Sequence, residues 1–290
     1  MGGNFRFRNE LVEVHAFPAG RIAIRSGRVT VCDPLSAWEL EPLARKVPNG
    51  SHEVWLAVAG FPGGDRRVAA ALLRFGYGEP VRWEMATREG ESLSDLEPGK
   101  IFAYGVDAGT GCFADAGVAS QLADEGVQQR LADALEATYE HTWSWANVEI
   151  GGAGVAAFSS GWGDGAYASY WGFDAAGKLI ALCTDFGVLL EPIEEVMHFD
   201  PRGPFNDPQL AAAGVSITPA TSNRRGGIAF ELRSSRSVEV DVVDAAGNRA
   251  TVASEMSSQG DRRVYDYDAL PAGTRLRIAV LMGLRPVRPA

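Results

Sequence analysis

Cysteine is scarce in this chain, three residues in 290. Cys32, Cys112 and Cys183 are odd in number, widely spaced and free of any C-x-x-C pair. That pattern argues against a disulfide framework and against a cysteine-ligated zinc site, and no metal-ligand set is expected. Long apolar runs are missing too. No window approaches the roughly 20 apolar residues a membrane helix needs. The first 12 residues hold two arginines with no apolar stretch behind them, so no signal peptide is expected. These absences predict a cytoplasmic protein without a membrane partner. Basic residues are outnumbered, 27 against 37 acidic, for a net charge of −10. A chain of that sign repels a phosphate backbone, so nucleic acid is not an expected partner. Gly-x-Ser-x-Gly, His-Glu-x-x-His and the Gly-x-x-x-x-Gly-Lys-Ser/Thr loop do not occur. The common hydrolase, zinc-protease and nucleotide-triphosphatase chemistries lose weight with them.

Glycine and tryptophan, in contrast, are plentiful, at 34 and 7 residues. Many glycines beside many aromatics favour turns between short strands over long helices. Residues 21–25 and 28–32 alternate in polarity around Ser26-Gly27, a hairpin signal. Residues 52–59, 81–85, 100–106, 148–150 and 155–158 read as further strands. Segments 168–173 and 179–184 flank the turn Asp174-Ala-Ala-Gly177, whose glycine suits a left-handed conformation. Residues 66–75 fit either a helix capped by Asp65, with Val68, Ala71, Leu72 and Phe75 on one face, or a short buried strand. The clearest helix spans 125–140, where Val127, Leu131, Ala134, Leu135 and Thr138 share a face.

The stretch 192–208, rich in Pro, Asp and Gly, is read as a boundary between a domain at 1–200 and one at 201–290. Beyond it, segments 228–232, 238–243, 263–265 and 276–281 alternate, and Asp244-Ala-Ala-Gly247 repeats the earlier turn. Residues 221–290 carry 11 basic and 8 acidic side chains, whereas the first 220 carry a net −13. The expected fold is α+β and β-rich: mainly antiparallel sheets with one or two helices, followed by a small all-β sandwich.

Three constellations carry candidate chemistry. The first is Val106-Asp-Ala-Gly-Thr-Gly-Cys-Phe-Ala-Asp115. Gly109-x-Gly111-x-x-Ala114 after a strand fits a dinucleotide fingerprint, but the confirming acidic residue after a second strand is missing. Asp107-x-Gly-Thr-Gly is also similar to the phosphate loop of actin-like ATPases, without the second phosphate loop those proteins need. The plainest description is a tight turn in which Asp107 and Asp115 bond to nearby amides. Cys112 in this loop is either a nucleophile, with His141 as a base, or a buried inert thiol.

The second constellation is Ser159 to Gly172, in which Trp162, Tyr167, Tyr170 and Trp171 alternate with glycines and Asp164. It fits a stacking site for a planar or sugar-like ligand, or a packed strand-turn-strand corner. Thr110, Gly111, Trp162, Asp164, Tyr167 and Trp171 form the candidate binding set. Third, Asp107, Asp115, Asp164 and Asp185 adjoin expected strands. If they converged, they would hold a divalent cation or supply an acid/base pair; solvated turn aspartates are the alternative.

Val31-Cys-Asp-Pro34, Asp107-Ala-Gly-Thr-Gly-Cys-Phe113, Gly161-Trp-Gly-Asp-Gly165, Tyr170-Trp-Gly172 and Thr184-Asp-Phe186 occur in an order that resembles a family catalogued as domain of unknown function 4241. The likeness covers about residues 20–190. It implies a bacterial origin and carries no established activity, so no residue role is taken from it.

Two functions remain open. One is a soluble binding protein, for a small ligand or for a basic protein partner, immunity-type proteins being one example of an acidic protein without catalytic motifs. The alternative is a hydrolase or transferase with its site at the 107–115 and 161–165 loops, drawing on Asp107, Cys112, Asp115 and Asp164. Both expect the two glycine-bearing segments to line one hollow. No cofactor is indicated. A further expectation is self-association through an exposed strand edge of the C-terminal sandwich.

Overall fold

The computed structural model of the protein describes residues 3–7, 10–37, 39–97, 100–203, 205, 208–218, 221–222, 227–250, 254–286 and 288–289. Its strands are β1 (Gly3–Phe7), β2 (Glu10–Ile24), β3 (Val29–Cys32), β4 (Gly50–Gly60), β5 (Arg66–Arg74), β6 (Arg82–Met85), β7 (Tyr104–Val106), β8 (Thr110–Asp115), β9 (Trp145–Ile150), β10 (Ala153–Ser159), β11 (Gly165–Tyr167), β12 (Ser169–Phe173) and β13 (Leu179–Asp185). They continue with β14 (Leu190–Phe199), β15 (Val215–Ile217), β16 (Thr221–Ser222), β17 (Ile228–Ser234), β18 (Val238–Val243), β19 (Ser254–Gln259), β20 (Arg262–Tyr267), β21 (Arg275–Pro286) and β22 (Arg288–Pro289). The helices are α1 (Glu125–Ala137) and α2 (Pro208–Ala212). Among the described residues every strand pairing is antiparallel. No helix among them is long and apolar enough to cross a membrane. The fold is thus β-rich α+β. The chain divides into two compact units, residues 1–189 with 287–290, and residues 190–286.

The first unit holds an eight-stranded sheet in the order β22-β1-β2-β4-β5-β13-β12-β6, a four-stranded sheet β3-β8-β10-β9 and the ribbon β7-β11. β2 shows how the sequence builds the large sheet. Val12 and Val14 point into the core while Leu11, Glu13 and His15 face out. At Pro18 and Gly20 the register against β4 slips, a bulge that accommodates a residue with no N–H to donate. The two sheets meet closely where β10 crosses β2. A Cβ on Gly154 would stand 2.5 Å from Ile22 Cβ and 2.7 Å from the Ala23 nitrogen, so only glycine fits.

The runs around Ser26-Gly27 do form strands, but not a hairpin. β2 pairs with β1 and β4, whereas β3 pairs with β8 in the other sheet. The turn carries the chain between sheets because Asp115 takes up its amides, as described below. The ambiguous segment is strand β5. It lies between β4 and β13, with Val68, Ala69, Ala71, Leu72 and Leu73 all buried. Burial on both faces erases the alternation that marks a half-exposed strand.

α1 occupies residues 125–137 of the expected helix and buries Leu131 and Leu135. Asp124 caps it, accepting from the Val127 amide at 3.1 Å. Asp124→Ala is expected to lower stability by about 1 kcal/mol, read as a shift in the urea midpoint. The turn before β13 forms as expected: Asp174 accepts from the Ala176 and Lys178 amides at 2.9 and 2.8 Å, and Gly177 has φ +78°.

In the second unit, the sheet β14-β21-β18 and a five-stranded sheet containing β15, β17, β20, β19 and β16 enclose one core. That core includes Phe199, Leu210, Phe230, Tyr265, Tyr267, Leu276 and Ile278. The turn at Asp244 repeats the earlier one, with the Ala246 and Asn248 amides donating at 2.8 and 2.9 Å.

Candidate functional site

The fold brings the two glycine-bearing segments together. β8 pairs with β10 through Thr110 and Ser159, and β7 pairs with β11 through Val106 and Gly165. The connecting loops must therefore lie side by side. The Ser160 amide donates to the Gly109 carbonyl at 3.0 Å, and a Cβ on Gly109 would reach Gly163 Cα at 3.9 Å. Gly109, Gly161 and Gly163 hold φ values of +62°, +63° and +108°, which an L side chain rarely adopts.

Most of the candidate side chains at this junction are committed to the interior. Thr110 is buried, and its hydroxyl donates to the Ala108 carbonyl at 3.2 Å. Gly111 leaves room for the Tyr104 hydroxyl, which a Cβ there would meet at 2.5 Å. Tyr167 donates to the Gly163 carbonyl at 2.8 Å and sets its ring edge-on to Phe186 at 5.0 Å. Trp171 is 2% exposed. Asp107, Asp164 and Trp162 instead face solvent, Trp162 with half of its surface.

Two buried carboxylates hold these segments in place. Asp33, at the end of β3, accepts five hydrogen bonds: Leu35 N at 2.9 Å, Ser36 N at 3.3 Å, Ser36 Oγ at 3.2 Å, Asp107 N at 3.0 Å and Ala108 N at 2.7 Å. Asp115 accepts four: Arg25 N at 2.5 Å, Ser26 N at 2.8 Å, Ser26 Oγ at 3.0 Å and Gly117 N at 2.7 Å. Neither needs a cation, because aligned N–H and O–H donors replace the water each charge lost. In the sequence Asp33 stands out only as part of the Val31-Cys-Asp-Pro34 string. Its signal was Asp-Pro-Leu-Ser, an Asx turn that bonds its own downstream amides.

Cys112 is fully buried beside Cys32, with the sulfurs 3.5 Å apart. That neighbour and the burial push the Cys112 thiol well above its ordinary pKa, so it is protonated at neutral pH. His141 sits on the exposed turn after α1, with φ +59°. Asp185 lies exposed at the end of β13 and accepts from the Gly187 amide at 2.8 Å. Among the described residues no three His, Cys, Asp or Glu side chains gather as a metal site.

An open cleft of about 590 Å³ lies elsewhere on the first unit, between the outer face of β2, the end of β4, the loop into β5 and residues 140–143. Phe17, Phe61 and Trp143 form its aromatic wall. Phe17 packs edge-on to Trp143 at 5.1 Å and to Trp145 at 4.4 Å, while Trp143 and Trp145 stack at 5.0 Å. Glu13, Asp65, Glu140 and Arg66 line it, and the His15 ring, also on the lining, faces Glu13 at 3.4 Å. Arg66 faces Glu140 at 3.8 Å, and Asp65 is paired with Arg67 at 3.0 Å. Thr142 ties the 140–143 segment to β5, accepting from the Arg66 amide at 3.1 Å and donating to the Arg66 carbonyl.

One sequence candidate reaches this cleft indirectly. Trp162 packs on Phe61 at 5.3 Å, with the Arg67 guanidinium 5.1 Å over its indole. The lining itself escaped the sequence reading because it comes from three distant segments without a motif. The available signal was the outward face of β2, which carries Leu11 and Phe17 where a solvated strand needs polar residues.

A β-rich, antiparallel unit with a clamped double-glycine junction and a side cleft is therefore the class of protein at hand. The chain belongs to the family described as Protein of unknown function (DUF4241), whose profile matches residues 22–184. Comparison with curated proteins and with solved structures gives no match.

Proposed function

We propose that the first unit is a small-molecule-binding module whose ligand, an amphipathic amine, occupies the cleft beside β2. The observation that carries this is the lining: about 590 Å³ walled by three aromatic rings, with Glu13, Asp65 and Glu140 at its rim, the last two paired with Arg67 and Arg66 and Glu13 facing the His15 ring at 3.4 Å. The volume lies within the roughly 300–1,000 Å³ typical of small-ligand sites. Aromatic faces and carboxylates both favour a cation, and rings of this kind bury its apolar part. The acidic charge of the chain draws such a ligand inward.

Trp143 and Trp145 make intrinsic fluorescence the natural probe. 2-Phenylethylamine is expected to bind saturably and at least about tenfold more tightly than phenylacetate, since one opposed charge at a partly shielded site is worth on the order of 1–2 kcal/mol. Gly60 on the wall has room for a side chain: a Cβ there would meet only the Glu13 carbonyl, at 3.7 Å. Gly60→Leu is expected to intrude on the cleft and weaken binding while leaving the melting temperature nearly unmoved. Equal binding of the acid and the amine, or an affinity unchanged by Gly60→Leu, would overturn the assignment.

A further inference from the structure

Cys32 and Cys112 occupy directly opposed positions of the antiparallel pair β3–β8. Opposed residues in such a ladder have Cα atoms roughly 4.5–5.5 Å apart, inside the roughly 4.4–6.8 Å that a disulfide spans. The sulfurs already stand 3.5 Å apart, so a bond of about 2 Å requires a small side-chain rotation. Around them lie Ala114, Val118, Leu122, Leu131 and Leu135, all apolar. The charged group that acts on Cys112 is the Asp33 carboxylate, which adds to the effect of Cys32 and burial and raises the thiol's pKa rather than activating it as a nucleophile toward a substrate. What the two thiols can do is combine with each other. Cys183 belongs to a different sheet, on β13, and burial pushes its thiol up to about 12.

We propose that Cys32 and Cys112 are a reversible modification site, forming an intramolecular disulfide in exchange with a low-molecular-weight disulfide of the glutathione type. In the first step one protein thiolate attacks the small disulfide, forms a mixed disulfide and expels one small thiolate. The second protein thiolate then attacks the protein-side sulfur and expels the other. The protein loses two electrons, the small disulfide gains them, and the two protons of the cysteines end on the two small thiols.

Both sulfurs are fully enclosed, so exchange proceeds when β3 opens. β3 is an outer strand of its four-stranded sheet, the position from which a strand frays most readily. Once formed, the bond joins positions 80 residues apart. It also sits next to Asp33, so it locks the strand whose end holds the 107–108 amides. This is a conditional link, distinct from the permanent framework that three cysteines argue against.

The test uses the full chain incubated with oxidised glutathione in sub-denaturing urea, then acid-quenched, fully denatured and alkylated with N-ethylmaleimide so that every free thiol reacts. Expected is a mass lower by two hydrogens with one alkylated cysteine, Cys183, and a proteolytic peptide linking Cys32 to Cys112. The melting temperature is expected to rise by about 10 °C, the order of effect for closing so long a loop, and to fall back with dithiothreitol. Cys183→Ser keeps the full response, whereas Cys32→Ala and Cys112→Ala lose it. Three alkylated cysteines, a stable glutathione adduct without an internal link, or a link through Cys183 would each overturn the proposal.

Discussion

Replacing Asp33 with alanine is expected to destabilise the protein by about 3–5 kcal/mol, a large share of the stability of an ordinary domain. Its carboxylate accepts five hydrogen bonds in the interior, two of them from amides 74 and 75 positions away. Each charge-assisted bond is worth roughly 1.5–3 kcal/mol, and each buried donor left behind costs about 1–3 kcal/mol, reduced where water enters the gap. Asp33→Asn should fall between wild type and alanine. It keeps one acceptor oxygen but sets an NH2 group against amide donors. Guanidinium unfolding reads the loss. Hydrogen exchange should show the Asp107 and Ala108 amides losing protection first, because they reach the carboxylate across the fold rather than through a local turn. A loss below about 1 kcal/mol for Asp33→Ala would refute the clamp.

The second large effect is expected at Gly154. A Cβ there would lie 2.5 Å from Ile22 Cβ and 2.7 Å from a backbone nitrogen of β2. Backbone in the middle of an eight-stranded sheet cannot step aside cheaply, so the sheets must separate or the strand must distort. Gly154→Ala should cost about 2–3 kcal/mol and Gly154→Val more, as expected for overpacking a tight junction. Gly105 is the control. It is exposed on β7, and nothing lies within 4 Å of its would-be Cβ. Gly105→Ala should be neutral or stabilising by a few tenths of a kcal/mol, because alanine loses less backbone entropy in a strand. Equal effects at the two positions, compared by urea midpoint, would show that Gly154 is not a contact point.

Much of the fold was legible because it is local. The α1 face of Leu131 and Leu135, the cap at Asp124, and the paired turns at Asp174 and Asp244 depend on residues within a few positions of one another. So do the alternating strands, and the motif strings from Val31 to Phe186 disclosed the family. Where local signals were equal, as in β5, neighbours on both faces decided the outcome. The hairpin expected at Ser26-Gly27 failed for a related reason: a carboxylate 89 positions downstream claims that turn, and β3 finds its partner in another sheet.

The candidate site divides along the same line. Glycines at 109, 161 and 163 announced strained turns by residue type alone, but their contact follows from two strand pairings no local pattern encodes. Whether an aspartate there is a ligand or a clamp depends on which amides surround it, and those amides come from distant segments. The cleft beside β2 and the opposed pair Cys32–Cys112 likewise arise only when separated strands adopt their register. Residue chemistry and short-range geometry are written in the order of the amino acids. Burial, register and the company each polar group keeps are set by long-range packing, where the free energy of a whole sheet outweighs any single local preference.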